Sequence, residues 1–181
     1  MWDRSVDDLT LISNTMKNIK LTLALLLLQL LAVSSYGQRT LHNSVKFLQE
    51  AATLGMNAEA LANLGQKQLE NPEAKAYVLE VLNHQMVANA QLKSLAKKKK
   101  VKLPEPMSIP INSMQTRVDT SDFDKEYLQM MIEDQKKAIT LYESGSKSSD
   151  REIKSYASRY LAIYRKNLQG ALKLNQAQPP K

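Results

Sequence analysis

The chain contains no cysteine. It can form no disulfide, thiolate metal site, cysteine nucleophile or thioether lipid anchor. There are only two histidines, His42 and His84, too few for a poly-histidine metal centre. Neither sits in a recognisable nucleophile motif, so a serine hydrolase triad finds no support. Glycine and proline number five and six in 181 residues. Long stretches hold neither, which favours helix over a loop-rich β fold. No apolar run reaches the roughly 20 residues that a membrane span needs.

The composition fits a soluble globular domain: 43% hydrophobic and 24% charged residues. The length predicts one ordered domain. Net charge is +7, with a sequence pI near 9.5. Such a balance can draw a protein to anionic polymers, or can be no more than a solvated basic surface.

The N-terminus has the three parts of a secretory signal. Met16-Lys17-Asn18-Ile19-Lys20 is a positive n-region, Leu21 to Val33 is apolar, and Ser35 and Gly37 are small residues where a signal peptidase would look. Residues 16–37 are therefore expected to be a signal peptide cleaved near Gly37, with the mature chain periplasmic or secreted and without a transmembrane helix. An uncleaved anchor is the alternative, and the run is short for one. Residues 1–15 carry Asp3, Asp7 and Asp8 ahead of the n-region. They are expected to be a start-site artefact, with Met16 the true start and 38–43 a short leader.

Beyond the signal, the chain repeats itself. Asn71-Pro72-Glu73-Ala74-Lys75-Ala76-Tyr77 returns as Asp150-Arg151-Glu152-Ile153-Lys154-Ser155-Tyr156. Phe47-Leu48-Gln49 returns as Tyr127-Leu128-Gln129, and Leu92-Lys93-Ser94-Leu95 as Ala171-Leu172-Lys173-Leu174. Two helical hairpins predict an all-α four-helix bundle over 44–176.

Period supports this. The first helix, about Ser44 to Glu70, has an apolar seam at Phe47, Ala51, Leu54, Ala58, Leu61 and Gly65, with a second at Leu48, Ala52, Gly55, Glu59, Ala62, Gln66 and Leu69. Asn71 should cap the second helix, with Pro72 at its first position. Its seam is Ala74, Val78, Val81, Gln85, Ala88, Leu92 and Leu95, and it should fray through Lys97 to Lys100. Residues 101–120 are a linker in which Pro104, Pro106 and Pro110 forbid regular helix. The third helix starts near Ser121-Asp122, with a seam at Tyr127, Met131, Asp134, Ala138 and Leu141. Ser149-Asp150-Arg151-Glu152 matches a capping box for the fourth. That helix has its seam at Ile153, Ala157, Tyr160, Tyr164, Asn167, Ala171 and Leu174. Residues 177–181 are expected to be a disordered tail.

Each seam is interrupted by one mid-helix polar residue: Glu59, Gln85, Asp134 and Asn167. Buried polar groups are costly unless paired. These should bond to each other, to Tyr164 or to water, either as a register-fixing polar layer or as a weak site for a hard cation held by Glu59 and Asp134. The di-iron pattern fails. The second helix has Glu80 and His84 four apart rather than three, and the fourth has no carboxylate after Glu152. His84, one step off the seam, is expected at the boundary.

Phe47 to about Gln176 resembles the exported bacterial proteins grouped as domain of unknown function 4142. The likeness rests on the ordered set Asn71-Pro72-Glu73-x-Lys75-Ala76-Tyr77, Ala88-Asn89-x-x-Leu92, Tyr127-Leu128, Asp134, Leu141-Tyr142 and Glu152-x-Lys154. It implies a ferritin-like bundle. In that family an Asp-His pair is common in both the second and third helices, and a histidine late in the fourth. Here those histidine positions read Gln85, Gln135 and Asn167. Amides keep a hydrogen bond but ligate transition metals poorly, so no metal and no cofactor are expected. The resemblance implies no particular activity.

Three functions are therefore in play. The first is a non-enzymatic exported bundle of the cell envelope with a binding, structural or stress-related role. The second is a ferritin-like metal binder using Glu59 and Asp134. The third is a basic protein that binds anionic envelope polymers through Lys97, Lys98, Lys99, Lys100 and Lys102. Lysine runs without interleaved aromatics argue against nucleic acid.

Overall fold

In the computed structural model, residues 41–105 and 123–177 are described. The signal, the start-site question and most of the linker and tail lie outside them. Helix α1 covers residues 41–68, α2 Pro72–Lys98, α3 Phe123–Ser146 and α4 Arg151–Gln176. All four are α-helices, packed as two hairpins, α1 with α2 and α3 with α4. There is no strand among the described residues. The chain from Asn43 onward forms one compact unit.

The helix starts are set by side chains. Asn71 accepts from the backbone amides of Glu73 and Ala74 at 2.8 and 3.0 Å, with Pro72 beginning α2. Asp150 does the same for Glu152 and Ile153 at 3.0 and 3.3 Å. The cap of α4 is thus Asp150 and not Ser149, which corrects the capping-box reading. The repeat already aligned Asp150 with Asn71. Helix α2 does not fray through the lysines. Lys100 takes a left-handed φ of 56°. Its amide bonds to Lys97 O, and the amide of Val101 reaches Ala96 O at 2.9 Å. This is a Schellman ending with lysine where glycine is usual.

Cross-bundle contacts give the direction of each helix. Near the start of α1, Phe47 lies over Gly145 at the end of α3, and near the start of α3, Tyr127 lies over Gly65 at the end of α1. These two helices are antiparallel. Tyr77 Oη donates to Asn167 O at 2.8 Å, and Tyr156 Oη to Ala88 O at 3.1 Å, so α2 and α4 are antiparallel too. Helix α2 ends beside Asp150 through Lys99, whereas α3 begins beside Asn71 through Asp124. Helix α3 therefore starts at the end of the bundle opposite the one where α2 stops. Ferritin-like bundles with one crossover connection share this order.

These contacts come in matched pairs. Gln85 and Tyr164, 79 residues apart, are bonded to each other. At the same offset Tyr77 corresponds to Tyr156 and Ala88 to Asn167, so the two tyrosine bonds are copies of one another. The α1/α3 pair follows with an offset one residue longer: Phe47 corresponds to Tyr127 and Gly65 to Gly145. Even the capping contacts match, Asp124 with the Asn71 amide and Ser44 with Asp150. The duplication in sequence is a pseudo-two-fold axis in space.

The core falls into two apolar clusters. One holds Phe47, Leu48, Leu92, Tyr142, Ile153 and Tyr156, and the other Leu61, Leu69, Val78, Val81, Tyr127 and Met131. The seams of α1, α2 and α4 face inward as expected, with Ala96 buried where Leu95 is half-buried. The seam of α3 is rotated by one residue in its second half. Gln135 and Tyr142 are buried, and Asp134 and Leu141 lie at the margin. The reason is the residue pattern. An α3 stripe through Leu128, Ile132, Gln135 and Tyr142 buries large side chains that a stripe through Asp134 would leave in water.

Candidate functional site: the mid-bundle polar layer

A polar layer lies at the midpoint, where the two apolar clusters meet. On α2, one turn apart, Gln85 donates through Nε2 to Asn89 Oδ1 at 2.8 Å. Asn89 Nδ2 in turn donates to Glu59 Oε2 at 3.0 Å and to Gly55 O at 3.3 Å on α1. From α4, Tyr164 Oη donates to Gln85 Oε1 at 3.1 Å. Glycine at 55 is a packing requirement. A Cβ there would overlap Asn89 Oδ1 and press on Gln85 Nε2 at 2.8 Å.

Tyr164 joins this relay to an aromatic group. Its ring lies 4.7 Å from that of Tyr142, which is 5.4 Å from Phe47 and 5.9 Å from Tyr156. The Tyr142 and Tyr156 hydroxyls are 3.3 Å apart. Since Tyr156 donates to Ala88 O, the proton between them belongs to Tyr142. Burial raises the pKa of Tyr142 well above the phenol range, with its neighbours Tyr164 and Tyr156 adding to the effect. Burial also raises Tyr164 and Tyr156. All three hydroxyls are neutral donors at any physiological pH.

The remaining candidates are placed differently. Asp134 is half-buried at the α3 margin, where its carboxylate meets Lys137 at 3.4 Å. Burial raises its pKa, with Lys137 pulling the other way. Gln135, 1% exposed, is the α3 residue that enters the core, and its Oε1 has no partner among the described residues. Asn167 is buried, and its backbone carbonyl accepts from Tyr77. The structure therefore brings Glu59 and Gln85 together and leaves Asp134 outside. His84 is half-buried, with Nε2 4.0 Å from Glu80. Seam periodicity does not single out Asn89, Tyr142 or Tyr156 as site residues. Asn89 nonetheless carries a readable signal, since it stands four residues after Gln85, the helical spacing for an amide pair.

This donor set is made of two amides, a phenol and one carboxylate, engaged with one another. No group of three or more Asp, Glu or His side chains is placed to hold a metal among the described residues.

The five terminal lysines are also dispersed. Lys99 is half-buried and pairs with Asp150 at 2.6 Å and Glu152 at 3.3 Å, and Lys98 pairs with Glu152 at 2.5 Å. Burial alone would lower Lys99, but the two carboxylates outweigh it and raise its pKa. Lys97, Lys100 and Lys102 are exposed.

The model of the domain of unknown function DUF4142 matches residues 33–174. The chain belongs to the DUF4142 family. No curated protein matches it. Among solved structures, this DUF4142 chain is similar to a DUF305 fragment from Deinococcus radiodurans, with a TM-score of 0.62 and 14% identity over 75% of this chain and 97% of that one. It is also similar to a protein from Xanthomonas campestris pv. campestris, with a TM-score of 0.58 and 12% identity over 76% and 92% of the two chains. At such identities the likeness concerns the fold. No described helix is long and apolar enough to cross a membrane.

Proposed function

We propose that this DUF4142 protein is an exported, non-enzymatic helical-bundle protein of the cell envelope that acts by binding, with the mid-bundle layer serving structure. The observation that supports this most directly is the closed relay Glu59–Asn89–Gln85–Tyr164. These four polar groups, at the place where related architectures do chemistry, are engaged with one another. The signal-like pattern of residues 16–37 supports export.

The metal-binding alternative draws less support. Glu59 is held by an amide, and Asp134 faces Lys137 at the bundle's margin.

Equilibrium dialysis against divalent cations, with thermal melts in the presence and absence of chelator, tests the reading. The expected outcome is no stoichiometric metal and a chelator-independent melt. One metal per chain, lost in Glu59→Gln, would overturn it. Export is tested separately by the N-terminal residue of the protein recovered from the envelope fraction, expected to be Gln38.

A further inference from the structure

The pseudo-two-fold axis relates the two ends of the groove between α2 and α4. The first end is lined by Gln91, Ser94, Lys98, Arg151, Ser155 and Arg159. At the 79-residue offset three of its cations have uncharged or acidic counterparts. Arg151 corresponds to Pro72, Arg159 to Glu80 and Lys98 to Ala177. The residues that pack are kept: Tyr156 matches Tyr77, Leu95 matches Leu174, and Glu152 matches Glu73. The duplicate halves thus act as an internal control. The packing that the two ends share therefore does not call for Arg151 or Arg159, whereas Lys98 is engaged by Glu152 and the opposite end carries a lysine of its own, Lys173, at the position of Ser94.

The chemistry of the cationic end is specific. Arg159, exposed, reaches Gln91 across the groove at 3.4 Å. Arg151 is exposed and makes no ion pair among the described residues. Glu152 is occupied by Lys98 and Lys99, and those ammonium groups hold its pKa below the usual range. Two guanidiniums therefore stand over an open depression that also presents the hydroxyls of Ser94 and Ser155 and the amide of Gln91, with Leu95 and Tyr156 as its apolar floor and Glu152 taken up by its lysines. The one aromatic there, Tyr156, is buried and offers no face for base stacking.

We propose that the groove between the C-terminal end of α2 and the N-terminal end of α4 docks a linear anionic glycan. Its carboxylates or sulfates would pair with Arg151 and Arg159, and its hydroxyls with Ser94, Ser155 and Gln91. Two exposed guanidiniums beside two hydroxyls and an amide complement the carboxylates and hydroxyls of an acidic sugar polymer. The lysine run from Lys97 to Lys102 is then mostly peripheral, since Lys98 and Lys99 brace the helix ends and the arginines of α4, distant in sequence, supply the recognition. The inference rests on the reading of the chain as a binding protein.

The test is fluorescence anisotropy of labelled alginate oligosaccharides titrated with the full-length chain. Neutral dextran and a short DNA duplex serve as comparison probes. Arg151→Gln with Arg159→Gln is compared with Lys75→Gln and Lys173→Gln, a charge-matched pair from the other hairpin ends. Arg159→Glu, which copies the acidic counterpart Glu80, is the second variant. We expect alginate binding that weakens with salt. It should fall about tenfold or more in the arginine variants, in keeping with two lost charge pairs, and less than about twofold in the lysine pair, with melting temperatures unchanged. Equal losses in both pairs would reduce the effect to net charge and overturn the groove. Absence of alginate binding, or duplex binding as tight as alginate with the same arginine dependence, would overturn the glycan. A metal-dependent turnover would instead sink the non-enzymatic reading and leave these titrations standing.

Discussion

Gln85 and Tyr164 are each other's symmetry mates and each other's hydrogen-bond partners, at 3.1 Å. A bond between equivalent positions of two repeats can form only where the pseudo-two-fold axis passes. The pair therefore marks the centre of the bundle, and from it the relay runs outward to Asn89 and Glu59.

That geometry predicts strong coupling. Tyr164→Phe leaves the buried Gln85 carbonyl without its donor and should cost about 1–3 kcal/mol. Gln85→Leu should cost a similar amount. The double variant should lose clearly less than the sum, because both single changes break the Tyr164–Gln85 bond, Gln85→Leu losing the bond to Asn89 as well. Urea unfolding of the four proteins measures this. Strict additivity would show that the pair contributes nothing as a pair.

Gly55 is the second lever. Alanine there should lower stability by about 1–3 kcal/mol through overpacking against Asn89, although alanine is the better helix former by about 1 kcal/mol. In an Asn89→Ala background the worst overlap is gone and only the side-chain end of Gln85, at 2.8 Å and released from Asn89, has to shift, so most of the cost of Gly55→Ala should disappear. Thermal melts of the two single variants and the double variant decide it.

Asp150 links the cap of α4 to Lys99. Burial alone would raise its pKa, but Lys99 and the amides of Ile153 and Glu152 outweigh burial and lower it. Its contribution should be fully present above the unfolded value of about 3.9 and should fade as pH falls through the lower folded value. Asp150→Ala should cost about 1 kcal/mol for the cap at neutral pH. Asp150→Asn keeps the cap and should cost less. A deficit in Asp150→Ala that stays constant down to pH 2 would contradict this account.

Asp134 has the opposite sign. Burial raises its folded pKa despite Lys137, so it destabilises the folded state increasingly as pH rises from about 3.9 through the folded value. Asp134→Asn should raise the melting temperature at pH 7, and the gain should vanish near pH 3. Melts across that range would show it.

Lys100 adopts φ 56° at the end of α2. A left-handed residue with a Cβ costs about 1–2 kcal/mol, so Lys100→Gly should stabilise the protein by about 1 kcal/mol. An unchanged urea midpoint would argue that the lysine makes a compensating contact.

The helical class, the repeat and most of the inward faces are legible in the linear string. Period, capping residues and sparse glycine and proline act locally, so they need no knowledge of distant neighbours. Asn71-Pro72 marks the start of α2 in this way, and the repeat of that motif marks α4. Three features depend on contacts that local signals cannot carry. Asp134 and Gln135 differ by one helical step, α3 offers an apolar stripe through either, and the packing of α3 on its neighbours chose the one that buries Ile132 and Tyr142. Asn89 joins Glu59 to Gln85 because Gly55 lets α2 come close to α1. The lysine run reads as one patch in the string. In the fold, Asp150 and Glu152 of the other hairpin take Lys98 and Lys99, and Arg151 and Arg159 reach the same groove. Each is a contact between residues far apart in the chain, fixed by the relative placement of whole helices.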